Sequence, residues 1–339
     1  MSAGRPNVLL DLPRSRHMSA GMSAYAEEVA ARLPRVAPDL NVVVRPRDRT
    51  LAPDEQLVLP FALRRAGARL VHFMSVYAPM FSPRPYAITI HDLIHLRYPE
   101  YFKRTVGPYY ATVVRTVCAR AECVITDDER TVEDLERFLG VPPQKVRVIP
   151  LGVDDAYIAG VDPEAAVRPY FLNVGNHREH KDIPTLLEAW QSLPQDVSAD
   201  LYLTGTDDLP PSSARPERAS GTLRFLGGLA PERLRALQAG ALALVQPSLC
   251  EGFGLPLLEA ASVGTPVLAS NEAIPGVLRP YADAFAARDV RGLAILMENI
   301  WRNPERREQA QRFARTQTWD RCAEKTAEVY REILKEKTR

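Results

Sequence analysis

The chain has 339 residues, of which 46% are hydrophobic and 25% charged, and a formal net charge of +1. That length exceeds one ordinary core and predicts two domains of roughly 150 residues each, and the composition excludes a disordered or fibrous chain. With so little net charge there is no global field to draw in nucleic acid, so no nucleic-acid partner is expected and any anionic ligand needs a local site.

Along the chain, short runs rich in Val, Ile and Leu alternate with longer stretches of helical period, the grammar of parallel sheets covered by helices. In the first half the predicted strands are 8–10, 42–44, 70–73, 87–90, 124–126 and 146–149. Between them, 21–33, 61–66, 108–121 and 131–139 carry apolar residues recurring at three and four. Residues 150–164 have no period and several turn formers, which predicts an interdomain linker. The second half repeats the grammar with strands at 171–174, 200–204, 222–225, 243–246 and 266–269. Helices are predicted at 183–193, 231–239 and 256–262, the last two opening on Pro231 and Pro256, as suits a first helical position. The Pro- and Ser-rich stretch 209–220 reads as a mobile surface loop, and beyond Ala287 the chain is charged and helical, ending in an amphipathic segment at 320–335. The expectation is an α/β protein of two Rossmann-like domains, 1–160 and 161–319, with a terminal helix at about 320–339 packing back on the first. Ligands of such open sheets bind outside the carboxyl ends of the strands, here in a central cleft.

The N-terminal apolar residues Val8, Leu9, Leu10 and Leu12 fall far short of a signal-peptide core, and no window approaches the ~18 apolar residues that span a bilayer. Cys118, Cys123, Cys250 and Cys322 are scattered without CxxC spacing, which predicts buried, reduced thiols in a cytoplasmic protein. In 101–120, Lys103, Arg104, Arg115 and Arg120 interleave with Tyr109, Tyr110, Val113, Val114 and Val117. This segment either packs on the sheet with a solvated basic edge or rests weakly on acidic lipid at the inner face of the membrane. Oligomeric state is not readable.

The segment 246–260 follows a predicted strand and opens a helix. Gly252 and Gly254 let the backbone approach a ligand, Pro256 presets the first helical turn, and the free amides there favour an anion. Glu251 and Glu259 flank this start; beside an anion site, carboxylates suit sugar hydroxyls as hydrogen-bond acceptors better than they suit phosphate.

This EGFGLPLLE stretch, 251–259, resembles the Glu, seven residues, Glu signature of the retaining glycosyltransferases of family 4, which have the GT-B fold. The segments at 89–93, 148–154, 173–181, 225–229 and 264–271 match that family in order, so the likeness covers nearly the whole chain. Residues 19–25 and 91–100 are most similar to bacterial polysaccharide mannosyltransferases. The resemblance implies that Glu259 holds the donor ribose, Glu251 faces the transferred sugar, and Lys181 meets the diphosphate. It also implies that His91 lies in the cleft near the sugar, and that Gly21 and Met22 belong to a first loop near the acceptor and diphosphate. His91, Glu251 and Lys181 are thus the candidate catalytic residues. Gly175, Arg178, Lys181, Gly227, Glu251, Gly252, Phe253, Gly254, Leu255 and Glu259 are the candidate donor contacts. The donor that the resemblance implies is a GDP- or UDP-sugar with mannose favoured, the implied acceptor a saccharide or lipid-linked saccharide, and no cofactor or metal is expected. The chain departs from the family at Asn176 and His180, where arginine is usual, so Arg178 is the substitute candidate, and at Gly276, where glutamate is usual.

Rival readings are specific. HDLIH at 91–95 superficially resembles a zinc helix, but it follows a strand pattern, carries Asp92 in place of glutamate and meets Pro99 soon after. The adjacent pairs Asp127–Asp128, Asp154–Asp155 and Asp207–Asp208 point apart and chelate poorly. Two other functions share the architecture, a nucleotide-sugar epimerase and a catalytically silent sugar-nucleotide-binding protein.

Overall fold

A computed structural model describes residues 7–15, 18–51, 53–210, 215 and 217–337. The chain divides into two compact units, one formed by Met1–Gly152 with Thr318–Arg339 and the other by Val153–Gln317.

The first unit is built on a six-stranded parallel sheet. Its strands are β1 (Asn7–Pro13), β2 (Asn41–Arg47), β3 (Leu70–Phe73), β4 (Tyr86–Thr89), β5 (Cys123–Thr126) and β6 (Val146–Val148), in spatial order β2-β1-β3-β4-β5-β6. Strands β3, β4 and β5 are buried along their whole length, as apolar runs between two helical layers must be. By contrast β2, at the sheet edge, is largely exposed and tolerates Pro46, which cannot donate to a ladder. The order reverses between β1 and β3, so the loops after these strands lie at a topological switch point.

After β1 comes the helix Ala20–Val36, capped by Ser19, whose Oγ accepts from Met22 N at 3.3 Å. Against it packs the terminal helix Trp319–Glu336. Arg32 lies 3.1 Å from Asp320, Arg35 also pairs with Asp320, and Arg331 pairs with Asp39 at 2.6 Å. The terminal helix buries Cys322, Thr326 and Tyr330, and the Tyr330 hydroxyl meets His72 Nδ1 at 2.6 Å. Where the chain leaves and re-enters this unit, Gly152 passes so close to Thr318 and Trp319 that a Cβ there would sit 2.2 Å from Trp319 N.

The predicted 108–121 helix is instead a continuous helical run from Val106 to Arg120, with a π-helical middle at Tyr110–Val114. Tyr110, Val114 and Val117 are buried, and Tyr109 and Val113 pack against the same core. Of the two readings of 101–120, packing on the sheet is therefore the observed one.

The second unit repeats the plan with β7 (Tyr170–Asn173), β8 (Asp200–Leu203), β9 (Leu223–Phe225), β10 (Ala243–Gln246), β11 (Val267–Ser270) and β12 (Asp283–Phe285), all parallel, in order β12-β11-β10-β7-β8-β9. Its core is centred on Trp190, whose indole N–H donates to Ala199 O at 3.0 Å. Strand β12 has no counterpart among the predicted elements, because its three residues begin on Asp283 and show too little apolar period to register. The predicted linker at 150–164 is likewise more than a linker: Asp154 caps a short helix, Asp155–Ile158, and Tyr157 is buried in this unit. The expected mobile loop at 209–220 falls partly outside the described residues, at 211–214 and 216. All four cysteines are free and buried, and no helix among the described residues is long and apolar enough to cross a membrane.

Candidate functional site

In the second unit the strand order reverses between β7 and β10, which puts the loop after β7 beside the loop after β10. Leu249 N donates to His180 O at 2.8 Å and ties these loops together. From the first loop, the turn Glu179–Lys181 carries Lys181. From the second comes Glu251. Lys181 Nζ donates to both carboxylate oxygens of Glu251, at 2.7 and 2.8 Å.

Glu251 is also held from below. Its Oε1 accepts from Gln246 Nε2 at 2.9 Å and from Ser248 Oγ at 2.7 Å, and Gln246 is braced by Asn173 Nδ2 at 3.3 Å. Burial pushes the Glu251 carboxyl up, but the Lys181 charge and the donors on its oxygens outweigh that, leaving it below its ordinary value and ionised. A carboxylate in this state is not a general acid, and with three donors on Oε1 and the Lys181 ammonium on Oε2 it is a poor nucleophile.

Three residues on, Gly254 takes φ +81° and leads into the helix Leu255–Ser262, which has no side-chain cap. Only glycine enters that backbone region without strain. Gly252 and Leu255 are half-buried, while Phe253 is 4% exposed and packs inward as an anchor for the loop. Glu259 lies further along this helix. Its Oε2 accepts from Gln238 Nε2 at 3.2 Å, and Gln238 Oε1 in turn accepts from the Tyr157 hydroxyl at 2.5 Å. Burial raises the Glu259 pKa, and the Gln238 and Tyr157 bonds offset only part of this.

The remaining candidates in this unit line the strand ends. Gly175 has φ +155° and Gly227 φ +69°, and a Cβ at either would meet nothing within 4 Å, so the backbone here is open to a ligand. Gly175 N donates to Thr204 Oγ1 at 3.0 Å, and Gly227 exchanges two 2.9 Å backbone bonds with Gly205. Arg178 is exposed, its backbone N–H donating to Asn176 Oδ1. Gly276 is exposed at the start of a 3-10 turn. Sequence reasoning did not single out His177, whose buried ring bonds Asp208 through Nδ1 at 2.7 Å and packs edge-on against Phe225.

In the first unit His91 follows β4 and is 8% exposed. Its Nδ1 lies 2.6 Å from Asp127 Oδ2, and Tyr25 packs edge-on against the ring at 4.8 Å. Burial opposes protonation of the ring, but Asp127, Asp92 and the Met74 carbonyl outweigh it and raise its pKa. The adjacent pair Asp127–Asp128 indeed points apart: Asp128 caps a helix, while Asp127 turns inward to His91, a partner that the sequence does not reveal. His95 is occupied elsewhere, stacked on Tyr110 and tilted against Phe102. Only His95 of the two lies on a helix, Ile94–Arg97, so the zinc-helix geometry is absent. Among the described residues no group of three or more His, Cys, Asp or Glu is poised to hold a metal. Gly21 and Met22 lie in the first turn of the helix Ala20–Val36 rather than in a loop, because Ser19 caps the helix just ahead of them.

The family description Glycosyltransferase Family 4 matches residues 19–157, and Glycosyl transferases group 1 matches residues 162–317. Together these span most of both units, and the chain belongs to the GT-B glycosyltransferases. It is 28% identical over 295 residues to an O-antigen chain mannosyltransferase B of Escherichia coli, covering 80% of this chain and 76% of that protein. Among solved structures it resembles a sucrose-phosphate synthase from Thermosynechococcus elongatus, with TM-score 0.74, 19% identity and coverage of 98% and 100%. It also resembles Anabaena HepE in complex with UDP-glucose, with TM-score 0.72, 16% identity and coverage of 96% and 99%.

Proposed function

We propose that this glycosyltransferase moves a hexose, with mannose favoured, from a GDP- or UDP-sugar to a saccharide or lipid-linked acceptor, retaining anomeric configuration and using no metal. The observation that carries this reading is the Lys181–Glu251 pair beside the Gly254 helix start, at the switch point of the second sheet. The E. coli relative supports mannose and a polysaccharide product, and the HepE complex supports a nucleotide-sugar donor.

The chemistry follows from the parts. A protonated lysine has three N–H donors; two rest on Glu251, so the third is available to a diphosphate oxygen. As the bond from the anomeric carbon to the diphosphate oxygen breaks, its electron pair leaves with the diphosphate. A fixed cation and the amides of a helix start stabilise that charge. The acceptor hydroxyl attacks from the same face, and its proton passes to the departing phosphate oxygen. Glu251, ionised, with three donors on Oε1 and Lys181 alone on Oε2, acts as the anchor of Lys181 and, through Oε2, as an acceptor for a sugar hydroxyl rather than as a covalent nucleophile. Glu259 receives the ribose hydroxyls. In the first unit, His91 is assigned to the transferred sugar, and Gly21 and Met22 to the acceptor.

The test is a thermal-shift panel of GDP- and UDP-sugars with and without magnesium, since a ligand bound only by the folded state raises its stability. Glu259→Ala should weaken nucleotide binding, and Glu251→Ala should cut turnover more than donor affinity. Unchanged affinity and rate in both variants would overturn the assignments.

A further inference from the structure

Four polar side chains lie in a row through the core of the first unit: Tyr330, His72, Thr89 and Tyr25, each 0% exposed. They come from four elements, the terminal helix Trp319–Glu336, β3, the end of β4 and the helix Ala20–Val36. The Tyr330 hydroxyl meets His72 Nδ1 at 2.6 Å, His72 Nε2 meets Thr89 Oγ1 at 2.8 Å, and Thr89 Oγ1 meets the Tyr25 hydroxyl at 2.9 Å. Burial, with His91 nearby, pushes the His72 imidazole down to about 3, so the ring is neutral and carries a single N–H. Such a ring donates through one nitrogen and accepts through the other. Whichever nitrogen holds the hydrogen sets the roles of Tyr330 and Thr89 together, so the bonds form one coupled unit rather than separate contacts.

The row ends against His91. Tyr25 packs edge-on on the His91 ring at 4.8 Å, and Thr89 closes β4 two residues before it. Asp127 holds His91 through Nδ1 alone, and one hydrogen bond fixes a point of the ring while leaving its plane free to pivot. The edge of Tyr25 removes that freedom. Tyr25 also stands one helical turn beyond Gly21 and Met22, on their side of the helix, so the same side chain braces that first turn. Apolar residues of like shape at all four positions would fill the core at little cost in stability, so folding alone does not call for the row.

We propose that Tyr330, His72, Thr89 and Tyr25 are positioning residues that hold the His91 ring and the Gly21–Met22 turn in their working arrangement. This rests on the assignment of His91 to the transferred sugar and of that turn to the acceptor. The terminal helix thereby supports the site through one buried hydroxyl, 258 positions along the chain from its partner His72. A small displacement of groups around a reacting centre lowers the rate steeply. Nucleotide affinity, assigned to Glu259 and Lys181 on the second unit, is not touched by the row.

The experiment compares three hydroxyl deletions that keep side-chain shape, Tyr330→Phe, Thr89→Val and Tyr86→Phe, in the full chain. Tyr86 is the control: it is buried at the other end of β4, and its hydroxyl donates to Val117 O at 2.8 Å, outside the row. Release of GDP from GDP-mannose, or of UDP from UDP-glucose, with a mannoside acceptor reads turnover; calorimetry with GDP and UDP reads nucleotide affinity, and melts check folding. Tyr330→Phe and Thr89→Val should each lower kcat by about tenfold or more at unchanged nucleotide affinity. Because both break one row, Tyr330→Phe/Thr89→Val should lose no more than the worse single change. Tyr86→Phe should keep the wild-type kcat. The His91 ring resonances, which sense the Tyr25 ring, should move in the first two variants and stay in the control. Wild-type kcat in folded Tyr330→Phe and Thr89→Val overturns the proposal, as do unmoved His91 resonances, losses that multiply in the double variant, or an equal loss in Tyr86→Phe. A wild type that turns over neither donor sinks the donor reading instead, and the His91 resonances of the three variants then decide the positioning role.

Discussion

Lys181 Nζ lies 2.7 and 2.8 Å from the two carboxylate oxygens of Glu251, a residue 70 positions further along the chain. Both side chains are mostly buried, at 14% and 11% exposure, so neither ion has water to fall back on. The pair therefore couples the two loops of the donor-side site as a single unit, and each residue's behaviour depends on the other's presence.

Replacing Lys181 by Met keeps the length and removes the charge. The uncompensated carboxylate should then lower stability by about 3–5 kcal/mol at neutral pH. The folded pKa of Glu251 is depressed, so the stability the pair contributes is present above the ordinary value of 4.5 and is lost as pH falls through the folded value. Urea unfolding at pH 7 and pH 4 should show the wild-type advantage shrinking on acidification, and Lys181→Met/Glu251→Gln should recover part of the loss. Equal differences at both pH values would contradict the linkage.

His91 has the opposite sign. Its folded pKa is raised, chiefly against burial and through Asp127, so the ion pair's contribution is complete below the ordinary imidazole value of 6.5 and is lost as pH rises through the folded value. In Asp127→Asn, burial acts without its counterweight and the His91 pKa should drop below 6.5. A nitrogen-15 titration of the histidine rings reads this directly. The variant should also lose roughly 1–3 kcal/mol at pH 6 from the lost charged partner.

Glu259 should behave as a residue kept for function against stability. Burial raises its pKa, so its ionised form is disfavoured in the fold and its presence lowers stability as pH rises from the ordinary 4.5 through the folded value. Glu259→Gln is accordingly expected to leave the melting temperature at pH 7.5 unchanged or slightly higher, while nucleotide affinity falls by about tenfold or more. Calorimetric titration with GDP and UDP alongside a melt checks both halves of the statement.

Gly152→Ala tests the crossing of the chain in the first unit. A methyl there would meet Trp319 N at 2.2 Å and Thr318 C at 2.3 Å, both backbone atoms that no rotamer can move. A loss of about 1–3 kcal/mol is expected from overpacking, with the terminal helix loosened first. Hydrogen exchange should show earlier opening of Trp319–Glu336 than of the central strands; uniform protection equal to wild type would contradict it.

Much of the fold was legible in one dimension because buried parallel strands leave unbroken apolar runs. The stretches 70–73 and 243–246 coincide residue for residue with β3 and β10. Where the local pattern was thin, reading failed. Three-residue β12 starts on a charged residue, and the helix Asp155–Ile158 hides among turn formers because its reason to exist is Asp154 as a cap and Tyr157 reaching Gln238. Asp127 illustrates the same limit at a site: nothing within several residues of it reveals a partner 36 positions earlier.

By itself, then, the sequence determined the alternation of strand and helix, the glycine-lined helix start at Gly254, and the pairing of Glu251 with Glu259 on one segment, because these depend on neighbours in the chain. Only the tertiary structure decided that Lys181 holds Glu251 ionised, that Gln238 and Tyr157 brace Glu259, and that His91 is buried against Asp127. Those states are set by burial and by charges brought from distant strand ends. Desolvation and Coulomb energy depend on distance in space, which the order of residues does not carry.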